Sequence, residues 1–147
     1  MGLINLPSGG VVYLDANSII YAVEKHPDYS ALLDPLWLPT KAQTIELITS
    51  ELSLMECLTG PLKSGDLVLL KTYETTLLRS EIRLLPITQS ILRDAAQLRA
   101  ATKLRTPDAI HAATAKQIGC SLFVTNDGGF RAVPGLPVVF LDDLRTP

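Results

Sequence analysis

Short apolar runs alternate along this chain with longer stretches in which apolar residues return every three or four positions. That is the pattern of buried strands separated by amphipathic helices. Val11-Val12-Tyr13-Leu14 follows two glycines and ends at Asp15, as a buried strand does. Asn17 or Ser18 can cap the helix that begins with Ile19-Ile20, and His26-Pro27-Asp28 stops it. Pro35 and Pro39 confine residues 28–43 to one or two short helices with loops. Ile45 to Thr49 is strand-like, and Ser50 can cap a helix that runs to Thr59 and ends at Gly60-Pro61.

A long helix fits residues 66–80, with Leu67, Leu70, Tyr73, Leu77 and Leu78 directed inward. Ile82 to Ile87 reads as a strand whose end is marked by Pro86. Residues 89–103 form another helix, apolar at Ile91, Leu92, Ala95, Ala96 and Leu98. Thr106-Pro107-Asp108 supplies a capping hydroxyl, a first-turn proline and an acid at the positive helix end. Gly119 closes that helix, Ser121 to Thr125 is a strand, Asn126 to Gly129 a turn, and Val138 to Leu141 the last strand. Strands separated by helices call for an α/β fold, with a mostly parallel sheet of about five strands covered on both faces. Residues 1–147 read as one domain with its core at about 11–144.

Composition narrows the class. With 47% hydrophobic and 19% charged residues and two cysteines in 147, neither disorder nor a disulfide scaffold fits. Cys57 and Cys120 sit in apolar patterns, as small buried hydrophobes do. No basic start leads into a long apolar stretch, and no apolar run approaches the roughly 20 residues that span a bilayer. The expected setting is therefore cytoplasmic, without a membrane. The net charge of −2 hides an asymmetry: residues 1–60 carry seven acids and two bases, residues 61–105 four acids and eight bases. Such a division suits a metal site beside a polyanion-binding surface, and equally an ordinary charged exterior.

Three acids stand where strands end or helices begin: Asp15, Asp108 and Asp127. In open α/β sheets the ligand crevice lies beyond the carboxyl ends of strands. Asp15 and Asp127 can reach one rim, and a short loop before Asp108 can bring it there too. Glu56 lies among apolar helix residues, either turned outward or held inward by a cation. Each acid also has a plainer role as cap, turn former or solvated side chain. Gathered together they repel, so the cluster is costly unless divalent cations neutralise it, and little basic compensation is expected around it. An all-oxygen set suits magnesium or manganese, whereas the histidines and cysteines lack zinc spacing. His111, three residues after Asp108, can orient a carboxylate or simply pack. Lys103 and Arg105, just before Asp108, can meet a phosphate backbone.

Four segments taken in order resemble the PIN-domain ribonucleases, particularly the VapC-like toxins of toxin–antitoxin pairs. They are Tyr13-Leu14-Asp15-Ala16-Asn17-Ser18, Thr49-Ser50-Glu51-Leu52 through Glu56, Thr106-Pro107-Asp108-Ala109-Ile110-His111-Ala112-Ala113, and Thr125-Asn126-Asp127-Gly128-Gly129-Phe130. The resemblance extends from about Val12 to Leu144. It implies a three-layer α/β/α domain, a homodimer, and RNA cleavage dependent on Mg2+ or Mn2+. It places the family's acids on Asp15, Glu56, Asp108 and Asp127, with Asn17, Thr125 and Asn126 around the metal. It further implies a cognate antitoxin laid across the groove. Two other readings remain at this stage. Strand-Asp15-Ala16-Asn17 loosely imitates the nucleophile loop of haloacid-dehalogenase-like phosphohydrolases, although that family has a second Asp where Asn17 stands. A non-catalytic RNA- or protein-binding module of the same fold is the other.

Overall fold

The computed structural model describes residues 4, 6 and 9–145. Five strands, β1 (Val11–Leu14), β2 (Glu46–Ser50), β3 (Arg83–Leu85), β4 (Leu122–Thr125) and β5 (Val138–Phe140), form one sheet ordered β3-β2-β1-β4-β5. Every neighbouring pair is parallel. Seven α-helices accompany them among the described residues: α1 (Ala16–Val23), α2 (Ser30–Leu33), α3 (Trp37–Lys41), α4 (Leu52–Ser64), α5 (Leu67–Leu78), α6 (Gln89–Ala101) and α7 (Thr106–Ile118). None of the described helices is long and apolar enough to cross a membrane.

The three layers follow from strand alternation. Val12 and Leu14 of β1 join Leu47 and Val124 on one face, beneath Ile19 of α1, Cys57 of α4, and Tyr73 and Leu77 of α5. Tyr13 points the other way, with Ile48 and Phe123, against α6 and α7. Burying each large side chain in these two clusters contributes about 1.5–3 kcal/mol. The α7 face is built from Ala109, Ala112, Ala113 and Ala115. Small side chains let that helix lie close to the sheet, where Tyr13 and Phe123 stack with centroids 5.0 Å apart.

Strand order fixes where a ligand can sit. The chain moves outward from β1 through β2 to β3, then returns to the other side of β1 for β4 and β5. The β1/β4 junction is thus the point at which the winding reverses, where open α/β sheets leave a crevice at the carboxyl edge. Asp15 directly follows β1, and Asp127 follows β4 by two residues. Helix α7 leads into β4, so its first turn, with Asp108, returns to that same edge.

Several local expectations are corrected. Helix α1 starts at Ala16 with Asp15 as its cap, ahead of Asn17 and Ser18. The reason is chemical: the Asp15 carboxylate accepts the Ser18 N–H, which satisfies a first-turn donor. Helix α4 does not stop at Gly60-Pro61 but continues to Ser64. Gly60 has no Cβ to clash with the proline ring, so the helical backbone passes through, and Pro61 is buried. The true stop is Gly65, left-handed at φ +73°, with Asp66 capping α5 immediately after it. In α5, Tyr73 and Leu77 face inward while Leu67 and Leu78 are exposed. At about 100° per residue, Leu67 and Leu78 stand about 120° and 140° from Tyr73 around the helix. Leu92 is displaced from buried Ile91 in the same way. Helix α7 begins at Thr106, with Arg105 in the cap position and no side-chain cap, so the Thr106 hydroxyl does not play that part.

The α4 stop is testable. Gly65→Ala, forced into the left-handed region, should lower stability by about 1–2 kcal/mol in denaturant titration. Gly128→Ala, where φ is not positive and a Cβ meets nothing within 4 Å, should stay within about 0.5 kcal/mol of the wild type.

Candidate functional site

Asp15 is at once a helix cap and the central carboxylate of the rim. Its Oδ1 accepts the Ser18 N–H at 3.0 Å and the Ser18 hydroxyl at 2.7 Å. Its Oδ2 accepts the Thr125 hydroxyl, and the Thr125 oxygen in turn accepts the Asp127 N–H at 3.0 Å. A chain of hydrogen bonds therefore links the end of β1 to the end of β4. Asp15 is buried, and burial pushes its carboxyl above the usual range. The Thr125 and Ser18 donors pull it back down.

Asp108 and Asp127 form the second part. Burial raises the Asp108 carboxyl, and the Asp127 carboxylate raises it further. The two acids, far apart in sequence, are thus close enough to repel. Arg105 opposes this: its Nε lies 3.3 Å from Asp108 Oδ2, and its side chain is 77% exposed. Asp127 is held by its own loop, since Oδ1 accepts the Gly129 N–H at 2.8 Å. A Cβ at Gly129 would approach that oxygen to 3.2 Å, so the tight turn favours glycine there.

Glu56 is turned inward by a base. Its Oε1 lies 2.6 Å from His111 Nε2, and His111 Nδ1 lies 2.6 Å from the Tyr13 hydroxyl. His111 is buried, whereas the Glu56 side chain remains 27% exposed. Burial first, and the Asp15 carboxylate second, hold the Tyr13 hydroxyl well above its ordinary range, so it stays protonated. The expectation of little basic compensation is corrected by these contacts: Arg105 serves Asp108 and His111 serves Glu56. Half-buried carboxylates gain from partners, and the fold provides them locally.

The supporting residues divide. Thr125 is buried within the hydrogen-bond chain just described. Asn17 is exposed, and the inward oxygen of that turn belongs to Ser18. Asn126 accepts the Asp142 N–H at 3.0 Å, which ties it to the turn after β5. Lys103 is exposed near the start of α7. Sequence reasoning missed Ser18 and Tyr13 as site residues. The first had a signal, a hydroxyl three residues after an acid that begins a helix. Tyr13 had none, because an apolar strand position does not reveal where a hydroxyl points.

Among the described residues, no three His, Cys, Asp or Glu side chains close into a group able to hold a metal ion. The acids share an edge without forming a finished coordination shell. Their chemistry nonetheless fits a hard divalent cation, which prefers carboxylate oxygens. The mutual repulsion of Asp108 and Asp127 is the cost such a cation would relieve.

The PIN domain family matches residues 12–136. No curated protein matches the sequence. Among solved structures, VapBC2 from Rickettsia felis bound to a DNA fragment from its promoter is similar at 21% identity and a TM-score of 0.72, covering 88% of this chain and 98% of that one. A toxin–antitoxin complex from Klebsiella pneumoniae gives 24% identity and 0.62, covering 88% and 97%. VapC20 from Mycobacterium tuberculosis, a toxin that cleaves the sarcin–ricin loop, gives 16% identity and 0.68, covering 84% and 95%.

The repulsion has a thermodynamic consequence. A carboxyl raised in the folded state costs nothing at pH below its unfolded pKa, where both states are protonated. Its cost grows as pH rises from the unfolded toward the folded value, and persists above it. With EDTA present, Asp108→Asn should therefore melt above the wild type at pH 7. The difference should vanish below about pH 4, near the unfolded carboxyl pKa. Melting curves across that range check the sign.

Proposed function

The chain belongs to the PIN-domain family, and from that premise we propose that it is a divalent-metal-dependent endoribonuclease, the toxin of a toxin–antitoxin pair. The carrying observation is the linked trio Asp15, Thr125 and Asp127 at the β1/β4 crevice, with Asp108 near enough to Asp127 to be repelled. Asp15, Asp108 and Asp127 would hold Mg2+ or Mn2+, and Glu56 would help hold it or position the attacking water. When bound, the cation lowers the pKa of water and offsets the charge that grows on the phosphoryl oxygens. Attack in line with the leaving oxygen forms a new bond to phosphorus and breaks the bond to O3′. The products would carry a 5′-phosphate and a 3′-hydroxyl, the latter taking up the proton.

Lys103 and Arg105 would position the RNA backbone. The Arg105–Asp108 pair is largely exposed on the arginine side, and such pairs contribute at most about 1 kcal/mol, so a phosphate can take the guanidinium over. The similarity to a toxin–antitoxin complex supports a cognate antitoxin as partner. Exposed Leu38, Leu67 and Val68 support a homodimer or another protein contact. A toxin acting on RNA would work in the cytoplasm. The phosphohydrolase alternative loses ground on geometry. That family has a second acid two residues after the first, and here the position is Asn17, which is exposed, while Ser18 supplies the inward oxygen of the turn.

The test is cleavage of defined RNAs with Mg2+, Mn2+ or EDTA. Asp15→Asn should reduce turnover at least about 100-fold, because a charge facing the reacting group is lost, while RNA affinity measured by anisotropy is kept. Replacing both Lys103 and Arg105 by Ala should weaken binding and flatten the logarithmic salt slope by about 1.4 on single-stranded RNA. Wild-type turnover in folded Asp15→Asn would defeat the nuclease mechanism. RNA binding without metal-stimulated cleavage by the wild type would favour the non-catalytic module.

A further inference from the structure

We propose that His111, anchored by Tyr13, is a positioning residue that fixes the Glu56 carboxylate at the acidic rim. The inference rests on the nuclease reading for its catalytic consequence, though not for its geometry. Three elements contribute one group each: Tyr13 from β1, His111 from α7 and Glu56 from α4. A glutamate on a helix turns about three side-chain bonds, and apolar neighbours on α4 offer its carboxylate nothing to hold. Cys57, next in sequence, is buried, and Met55 is exposed. Among the described residues, only the His111 imidazole hydrogen-bonds Glu56 Oε1. No described residue hydrogen-bonds Oε2, and the side chain remains partly exposed, so that oxygen is the one left to act outside the protein.

The rigid end of this strut is Tyr13. It is wholly buried, stacked on Phe123 at an interplanar angle of 7° and set edge-on to the His111 ring at 5.8 Å. The hydroxyl lies 2.6 Å from Nδ1, and with it donating there the ring N–H on Nε2 faces Glu56. Nε2–H then donates to Glu56 Oε1. A hydroxyl on an otherwise apolar strand thereby selects the tautomer that holds a carboxylate on a distant helix, as outer groups orient ligands in many metal sites.

The experiment compares His111→Leu, His111→Gln, Tyr13→Phe and Glu56→Ala, alone and as the His111→Leu/Glu56→Ala double variant. The expected loss in kcat for His111→Leu is about 10–100-fold with KM within about twofold. His111→Gln, whose amide can still donate to Glu56, should recover part of that loss. In the Glu56→Ala background, His111→Leu should cost nothing further, because coupled groups are non-additive. An equal loss in both backgrounds, or no loss in the wild type, overturns the proposal. A second readout needs no activity. A protected imidazole N–H proton should appear at low field in the wild-type NMR spectrum, vanish in His111→Leu and move in Glu56→Ala and Tyr13→Phe. A resonance indifferent to Glu56, or none at all, also overturns it. Should His111→Leu not fold, His111→Gln, Tyr13→Phe and this proton carry the test. Should the wild type not cleave RNA, the nuclease reading fails, and the NMR result still decides whether the strut exists.

Discussion

The Asp15 carboxylate is the interaction on which the rest of this structure depends. It closes the first turn of α1 through Ser18 and reaches β4 through Thr125. The Ser18 hydroxyl also lies within hydrogen-bond distance of the Val124 carbonyl, and the Asp15 N–H donates to that same carbonyl. A charged group is thereby built into the seam where the sheet reverses its winding. Burying a carboxylate is expensive, and three donors on its two oxygens repay part of the cost. The remainder is left as a raised carboxyl, a site that favours a cation.

The other acids obey the same economy in different ways. Asp108 sits in the first turn of α7, where the helix dipole favours it, yet Asp127 works against it. Asp127 accepts the Gly129 N–H, which holds it beside Asp108. Glu56 alone takes its order from a base. The rim therefore holds one acid by hydroxyls, one by a backbone amide, one by an exposed arginine and one by a buried imidazole. Those holders differ in strength. The Arg105 pair is open to water and exchangeable, whereas the Tyr13–His111 pair is enclosed on every side by the packed core.

The two faces of the sheet divide the labour. Beneath α6 and α7, stacked aromatic rings and alanines make a thin, close-fitting layer that carries Tyr13, His111 and Asp108. The opposite face is covered by α1 to α5 around Leu33, Leu36 and Tyr73, and it brings Glu56 over the edge. Tyr73 and Glu24 hydrogen-bond across that layer, tying the end of α1 to α5. A site composed from both faces is sensitive to their relative position, and the parallel ladder fixes that position.

Much of this was determined by the sequence itself. Val11 to Leu14, Leu122 to Thr125 and the proline-acid start at Pro107-Asp108 are local signals. Burial on both sides makes a strand uniformly apolar, and a helix terminus needs a specific cap, so each leaves a mark within a few residues. The ends of strands likewise placed Asp15 and Asp127 on one edge. Only tertiary structure could decide the rest. Helix α4 runs through Pro61 because that ring is buried in the fold and Gly60 permits the backbone. Asp15 caps α1 locally through the Ser18 N–H, but only the tertiary fold brings Thr125, 110 residues away, to its second oxygen. Whether Glu56 faced water or the interior depended on His111, and the proton on His111 depended on a tyrosine read along the chain only as an apolar strand residue. Side-chain direction across elements is set by packing, and periodicity along one element does not record it.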